Sequence, residues 1–310
     1  MTCYGPLRAY RLKRMLNNGQ VNPDRRLVFD PRKSETGVKI DVPCGQCSGC
    51  RLDYSVQWAM RCMHEKQMHQ HSSFINLTYD DKHLPEGGSL SMDDYQRFMK
   101  RLRHRFGDGI RFCGCGEYGD ENHRPHYHIL LLSHDFPDRK LARTSQSGLP
   151  LYTSKVLDEL WSENGEQLGL AMLGDVDYDS CAYVARYVMK KLLGKQKDDK
   201  EFFQAYVCMD TGLIKEPEFM TMSRRPGLGK SWYEKFGAHS YEWDSVVFKG
   251  AERTPPRYYD NLRVGPEINE SLKKKRRRKA MLNRGDQTLK RLRVREVVAL
   301  AKMSLKGRKL

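Results

Sequence analysis

Two strand-like segments, "IRFCGCGEYG" (110–119) and "HYHILLL" (126–132), are separated only by the polar turn "DENHRP", and no other feature restricts the fold as much. Segments of this length joined by so short a turn pair as an antiparallel hairpin. Side chains alternate along a strand, so His126 and His128 share one face while Tyr127 takes the other. Glu117 lies on the partner strand, from which its carboxylate can reach across to the imidazoles. Two imidazoles and a carboxylate on one face chelate a divalent cation and leave positions open for water and substrate. The plainer alternatives are a core or solvated histidine pair and a carboxylate in an ordinary salt bridge.

The flanking segments predict the rest of the domain. "SFINLTYDD" is a strand of β-branched and aromatic residues, and "SMDDYQRFMKRLRHRF" is an amphipathic helix with Ser91 as N-cap. Residues 153–164 read as helix, "AMLGDVDY" as strand, and "DSCAYVARYVMKKLLGK" as a helix capped by Asp179 or Ser180. The order β-α-β-β-α-β-α is an α+β, ferredoxin-like or split βαβ layout, an antiparallel sheet with helices on one face. This core spans 73–195. Before it, residues 1–72 form a cysteine-containing region whose helix carries Leu52, Val56, Ala59, Met60 and Met63 at helical spacing. After it come an accessory segment, 196–250, and a basic C-terminal extension, 251–310, for which partial disorder is expected.

On the last core helix, Tyr183 and Tyr187 stand at i and i+4 and share one face. Lys190 and Lys191 follow Tyr187 by three and four residues, where a cation lowers the cost of a phenolate or stabilises a phosphate. Packing is the ordinary use of such tyrosines. Beside a metal that polarises a phosphodiester, however, a tyrosine becomes a competent nucleophile, leaving a phosphotyrosine and a free 3′ hydroxyl. A second tyrosine permits the reverse transfer.

The charge points to the same class of substrate. The chain carries 55 Lys and Arg against 39 Asp and Glu, a net +16, concentrated towards the end. A polyanion is the natural partner, a solvated basic tail the alternative. No apolar stretch approaches the roughly 20 residues of a membrane span, and the N-terminus has neither an apolar core nor a cleavage site of a secretory signal. A soluble protein of the cytoplasm is expected. "SRRPGLGKSW" combines Arg224, Arg225, Lys230 and Trp232 with glycines, a composition suited to single-stranded DNA, with a plain turn as the alternative. It lacks the spacing of a phosphate-binding P-loop, and no helicase module is evident.

The nine cysteines include Cys44, Cys47 and Cys50 in C-x-x-C-x-x-C spacing. A structural zinc is the metal reading, with Cys62, Cys3 or His64 as the fourth ligand. An iron–sulfur cluster and free thiols are the other readings. Cys113 and Cys115 read as small core residues.

"FINLTYDD", "GEYG…HRPHYHILL" and "YVARYVMKK", in this order, resemble the three motifs of the HUH (His-hydrophobe-His) endonucleases. With "PCGQCSGCR" and "SRRPGLGKSWYEKF", they are more closely similar to the replication initiation proteins of gokushoviruses, single-stranded DNA phages of the microvirus group. The resemblance covers residues 40–240. It implies His126 and His128 as ligands of Mg²⁺ or Mn²⁺, Glu117 as the third ligand, and Tyr183 and Tyr187 as alternating nucleophiles. It also implies rolling-circle replication in the host bacterial cytoplasm: nicking of single-stranded origin DNA or its duplex replicative form, a 5′-phosphotyrosine link, extension by a host polymerase with a host helicase, and rejoining. Tyr127 is less apolar than the usual middle residue, but it faces away from the ligands. The competing expectations are a nonenzymatic nucleic-acid-binding protein, or a related HUH transposase or relaxase.

Overall fold

The computed structural model describes residues 3–12, 27–34, 37–119, 122–145, 148–190, 206–207, 211–263, 266–282 and 284–305, without the side chains of 187–190 and 266–269. The chain divides into two compact units, Met1–Tyr54 with Val264–Leu310, and Ser55–Arg263. This differs from the sequence blocks. The division expected at residue 72 falls within a helix at 54/55, and residues 196–263 group with the hairpin rather than forming separate segments.

In the first unit, β1 (Leu7–Arg11) pairs antiparallel with both β2 (Leu27–Val28) and β3 (Ile40–Val42). Helix α1 (Ser48–Lys66) spans the boundary. The second unit continues with β4 (Ser73–Thr78), α2 (Met92–Phe106), β5 (Phe112–Tyr118), β6 (Pro125–Leu131), β7 (Lys140–Thr144) and β8 (Pro150–Thr153). Next are α3 (Lys155–Leu160), the small ribbon β9 (Ser162–Glu163) and β10 (Glu166–Gln167), β11 (Ala171–Gly174) and α4 (Tyr178–Lys190). The unit ends with β12 (Phe219–Met222), α5 (Lys230–Trp243), the ribbon β13 (Val246–Phe248) and β14 (Ala251–Arg253), and α6 (Arg257–Leu262). Back in the first unit, the basic segment forms α7 (Pro266–Leu282) and α8 (Leu289–Ser304).

The core of the second unit is a seven-stranded sheet in the order β12-β5-β6-β4-β11-β8-β7, with every neighbouring pair antiparallel. On one face, Ile75, Leu77, Tyr127, Ile129 and Leu131 pack against Tyr95, Phe98, Met99 and Leu102 of α2 and Leu157 and Leu160 of α3. Burying an apolar side chain of this size contributes about 1.5–3 kcal/mol. Ser91 caps α2 as expected, its Oγ accepting from Asp94 N at 3.1 Å. The Tyr127 hydroxyl accepts from Ser91 N and donates to Ser91 O, both at 2.9 Å, which ties the start of α2 to β6.

The opposite face is covered as well, which corrects the expectation of helices on one side. Cys113, Cys115, Leu130 and Leu132 meet Ala59 and Cys62 of α1 and Cys181, Val184 and Ala185 of α4. The physical reason is in β6, whose apolar residues alternate to both faces and therefore need two covers. Helix α4 begins differently from the sequence reading too. Asp177 Oδ1 accepts from Ser180 N at 2.7 Å and Ser180 Oγ from Asp177 N at 2.8 Å, so the cap is Asp177 and not Asp179 or Ser180. No helix among the described residues is long and apolar enough to cross a membrane.

Candidate active site

The register of the central hairpin places Glu117 directly opposite His126 and Cys115 opposite His128. On the other side of β6, Asn76 of β4 stands opposite His128. Side chains of directly paired residues share a face, so strand pairing alone assembles Asn76, Glu117, His126 and His128 on the face that α4 covers. From α4 comes Tyr183, whose hydroxyl donates to Glu117 Oε1 at 2.5 Å. His126 Nε2 lies 2.8 Å and His128 Nε2 2.7 Å from the same oxygen. Three of the expected functional groups thus converge on one atom of the fourth.

Each group is held in a defined state. The Arg124 carbonyl can only accept, so at 3.1 Å it takes the hydrogen of His126 Nδ1 and leaves the Nε2 lone pair facing Glu117. His128 is buried and stacked on Phe74, ring centroids 5.5 Å apart, and burial holds its imidazole below the ordinary range. Burial alone would raise the Glu117 carboxyl, but His126, His128 and the Tyr183 hydroxyl outweigh it and hold it at about 2. Burial and then the Glu117 charge push the Tyr183 hydroxyl well above its usual range, with Arg186 pulling the other way.

A cation fits this donor set. Glu117 Oε2, His128 Nδ1 and Nε2, and Asn76 Oδ1 are buried atoms without a hydrogen-bond partner among the described residues. Although His128 Nε2 is close to Glu117 Oε1, it makes no hydrogen bond there, which leaves two electron-rich atoms facing each other. Buried orphaned acceptors cost about 1–3 kcal/mol each, and a shared cation removes that cost. The ligand atoms of Glu117, His126 and His128 all lie within 4.8 Å of one another.

Two contributors escaped the sequence reading. Asn76 belongs to a strand motif that carried no assigned residue. The Arg186 guanidinium lies 5.1 Å from the centre of the Tyr183 ring, a cation over the candidate nucleophile, and its i+3 spacing from Tyr183 was the available signal. Tyr187 and Lys190 belong to the end of α4, but their side chains, and all of Lys191, lie outside the described residues.

The glycine-rich loop is held from behind rather than displayed whole. Glu65, 2% exposed, accepts from Arg111 Nε and Gly229 N, both at 2.6 Å, while Arg61 Nε donates to Leu228 O at 3.0 Å. Arg224 and Arg225 are exposed, and Lys230 faces Glu234 at 3.4 Å. Trp232 corrects the expectation of a DNA-stacking ring. It is 8% exposed, stacks on His64 with centroids 3.6 Å apart, and donates its Nε1 to Gln67 Oε1 at 2.8 Å. Its aromatic face is therefore committed to the core.

In the first unit, Cys3 joins Cys44, Cys47 and Cys50. The sulfurs are 3.6 Å apart for Cys3–Cys44, 3.9 Å for Cys3–Cys47 and 4.0 Å for Cys44–Cys50. These distances are far too long for disulfides, and they match the roughly 3.8 Å edge of a tetrahedron with metal–sulfur bonds of about 2.3 Å. Backbone N–H groups of Tyr4, Cys44 and Cys47 each donate to a cluster sulfur at 3.3 Å. The other proposed fourth ligands are engaged elsewhere: Cys62 is buried with Cys113 and Cys181, and His64 Nδ1 bonds Tyr259 Oη at 2.8 Å.

Comparison with known proteins places this geometry in a lineage. The family model for replication-associated proteins of the ORF2 type matches residues 72–192, which contain the sheet strands β4 to β11 and α4. Replication-associated protein VP4 of Bdellovibrio phage phiMH2K is 32% identical over 245 residues, covering 76% of this chain and 71% of the relative. Replication-associated protein ORF2 of Spiroplasma virus 4 is 32% identical over 280 residues, covering 84% and 79%. Replication-associated protein ORF4 of Chlamydia phage 1 is 31% identical over 160 residues, 49% of this chain and 39% of the relative. No solved structure matches. Matched along most of the Bdellovibrio phage and Spiroplasma virus proteins, the chain belongs to the family of phage replication-associated proteins, of the gokushovirus type.

Proposed function

We infer that this chain starts phage replication as a nicking and joining endonuclease of the HUH kind, with Tyr183 as the first attacking residue. The convergence of His126, His128 and Tyr183 on one buried carboxylate oxygen of Glu117 supports this reading. Glu117, His126 and His128 would hold Mg²⁺ or Mn²⁺, which supplies Lewis-acid polarisation of the scissile phosphodiester. Glu117 positions the Tyr183 hydroxyl through its hydrogen bond, and Arg186 offers the compensating positive charge as the phenolate forms. The tyrosine oxygen bonds to phosphorus, the 3′ oxygen leaves with its electron pair, and the 5′ phosphate stays on the enzyme. Tyr187, one turn along, serves the reverse transfer, with Lys190 and Lys191 beside it. Arg224, Arg225 and Lys230 steady the single strand of the origin, and the four-cysteine cluster holds a structural zinc. Host helicase and polymerase act on the opened strand in the bacterial cytoplasm.

The test is a labelled single-stranded origin DNA incubated with the purified chain and Mn²⁺ or Mg²⁺, then resolved on a denaturing gel. A chelator-sensitive covalent adduct is expected, reduced at least about 10³-fold by Tyr183→Phe and by Glu117→Gln. If the DNA binds tightly but no adduct forms with either cation, the nonenzymatic binding protein takes the place of the endonuclease.

A further inference from the structure

The charge of this chain is divided between the two units with unusual sharpness. Of the 55 Lys and Arg, 26 lie in Met1–Tyr54 with Val264–Leu310, against 9 of the 39 Asp and Glu. Ser55–Arg263, which holds the Glu117 site, is left with 29 cations and 30 anions. The whole net charge of +16 therefore belongs to the unit without the candidate nucleophile. Attraction to a polyanion scales with local positive charge, so sequence-blind affinity for nucleic acid is expected from this unit and not from the nicking unit.

Within the charged unit the structure shows where a strand would rest. Tyr4, directly after Cys3, lines a depression of about 340 Å³ with Arg291, Val294, Arg295, Val298 and Lys302. Positions 291, 294, 295, 298 and 302 recur along one face of α8. That face therefore presents cations and short apolar side chains together. Asp286 fixes two of the cations in place: its Oδ1 lies 3.2 Å from Arg291 Nη2, and its carbonyl accepts from Arg295 Nη1 at 3.3 Å. Tyr4 is fixed too, since its backbone N–H donates to Cys47 Sγ at 3.3 Å. An anchored aromatic ring beside anchored cations is the arrangement that single-stranded nucleic acid uses, base on ring and phosphate on cation. Residues 273–279 of α7, seven consecutive cations in the same unit, extend the positive surface.

We propose that the unit of Met1–Tyr54 with Val264–Leu310 is a single-stranded DNA holding module, in which Tyr4 stacks on an unpaired base and Arg295 and Lys302 of α8 contact the flanking phosphates. The module accounts for affinity without sequence preference, while the charge-balanced unit keeps the chemistry. It rests on DNA being the substrate of this chain, but not on the tyrosine chemistry.

The test uses the full chain and a fluorescein-labelled 20-mer of oligo-dT, with anisotropy read over a range of salt concentrations and no added divalent cation. Arg295→Ala/Lys302→Ala is expected to weaken binding by about tenfold or more and to make the log affinity–log salt slope shallower by about 1.4, at about 0.7 per phosphate contact on a single strand. Tyr4→Ala is expected to weaken binding at least about fivefold with the slope unchanged, and Tyr4→Phe to bind as the parent does. Lys290→Ala/Arg293→Ala removes equal charge from α8 away from the depression and controls for general electrostatics. If that pair weakens binding as much as Arg295→Ala/Lys302→Ala, or if Tyr4→Ala binds as the parent does, the module is wrong. Because the assay reads binding without a divalent cation, failure of the nicking reading would leave this result standing, and the reverse also holds.

Discussion

Glu117 is buried with one oxygen crowded by two imidazoles and a phenol and the other without a hydrogen-bond partner among the described residues, so the cation-free site stores unfavourable electrostatics. Filling it should stabilise the fold. With Mn²⁺ at ten times its dissociation constant, the unfolding midpoint is expected to rise by about 3–6 °C in the parent chain and to stay put in Glu117→Gln, as read by differential scanning fluorimetry. An equal rise in both would place the cation elsewhere. His64 offers a second residue-scale test. Burial between Trp232 and Tyr259 depresses its imidazole to about 3, so the folded state keeps it neutral while the unfolded chain takes up a proton below about 6.5. A depressed histidine contributes its stability in full above the unfolded pKa and loses it as pH falls. Between pH 7 and pH 5 the parent is expected to lose about 2 kcal/mol more than His64→Gln in urea melts. His126, His128, Glu117 and Tyr183 were legible in the sequence because strand alternation and helix periodicity fix which side chains share a face. Asn76 and Trp232 were not, since nothing local reveals which neighbour a strand pairs with or whether a helical tryptophan turns inward.

At the scale of elements, the hairpin and α2 follow from period-two and amphipathic patterns, and both formed where those patterns lie. The β7–β8 ribbon escaped the sequence reading because Lys140–Thr144 is exposed along its whole length and shows no alternation. The basic extension was read as partly disordered from its composition, yet Lys, Arg, Leu and Ala are strong helix formers, and α7 and α8 result. The fourth cysteine was ambiguous for a different reason: Cys3 is separated by 41 residues from Cys44, and only tertiary structure brings them together. A metal at this cluster is expected to register as one zinc per chain by elemental analysis, falling to less than half in Cys3→Ser and unchanged in Cys62→Ser. Equal zinc in parent and Cys3→Ser would remove Cys3 from the ligand set.

For the molecule as a whole, the two units divide the work that replication asks of one chain. A charge-balanced α/β unit presents a compact constellation of ligands and tyrosine, and a strongly basic unit, organised by cysteines and helices, meets the polyanion. Net charge alone pointed to nucleic acid, but the sequence order hides the division, because the basic unit is assembled from both ends of the chain. The central claim is that Tyr183 makes the covalent bond. The most direct measurement is mass spectrometry of the trapped adduct after nuclease and protease digestion. The account expects a 5′-linked nucleotide on the phenolic oxygen of Tyr183 when Tyr187 is replaced by phenylalanine. A nucleotide on any other side chain, or none in a chain that still nicks origin DNA, would contradict it.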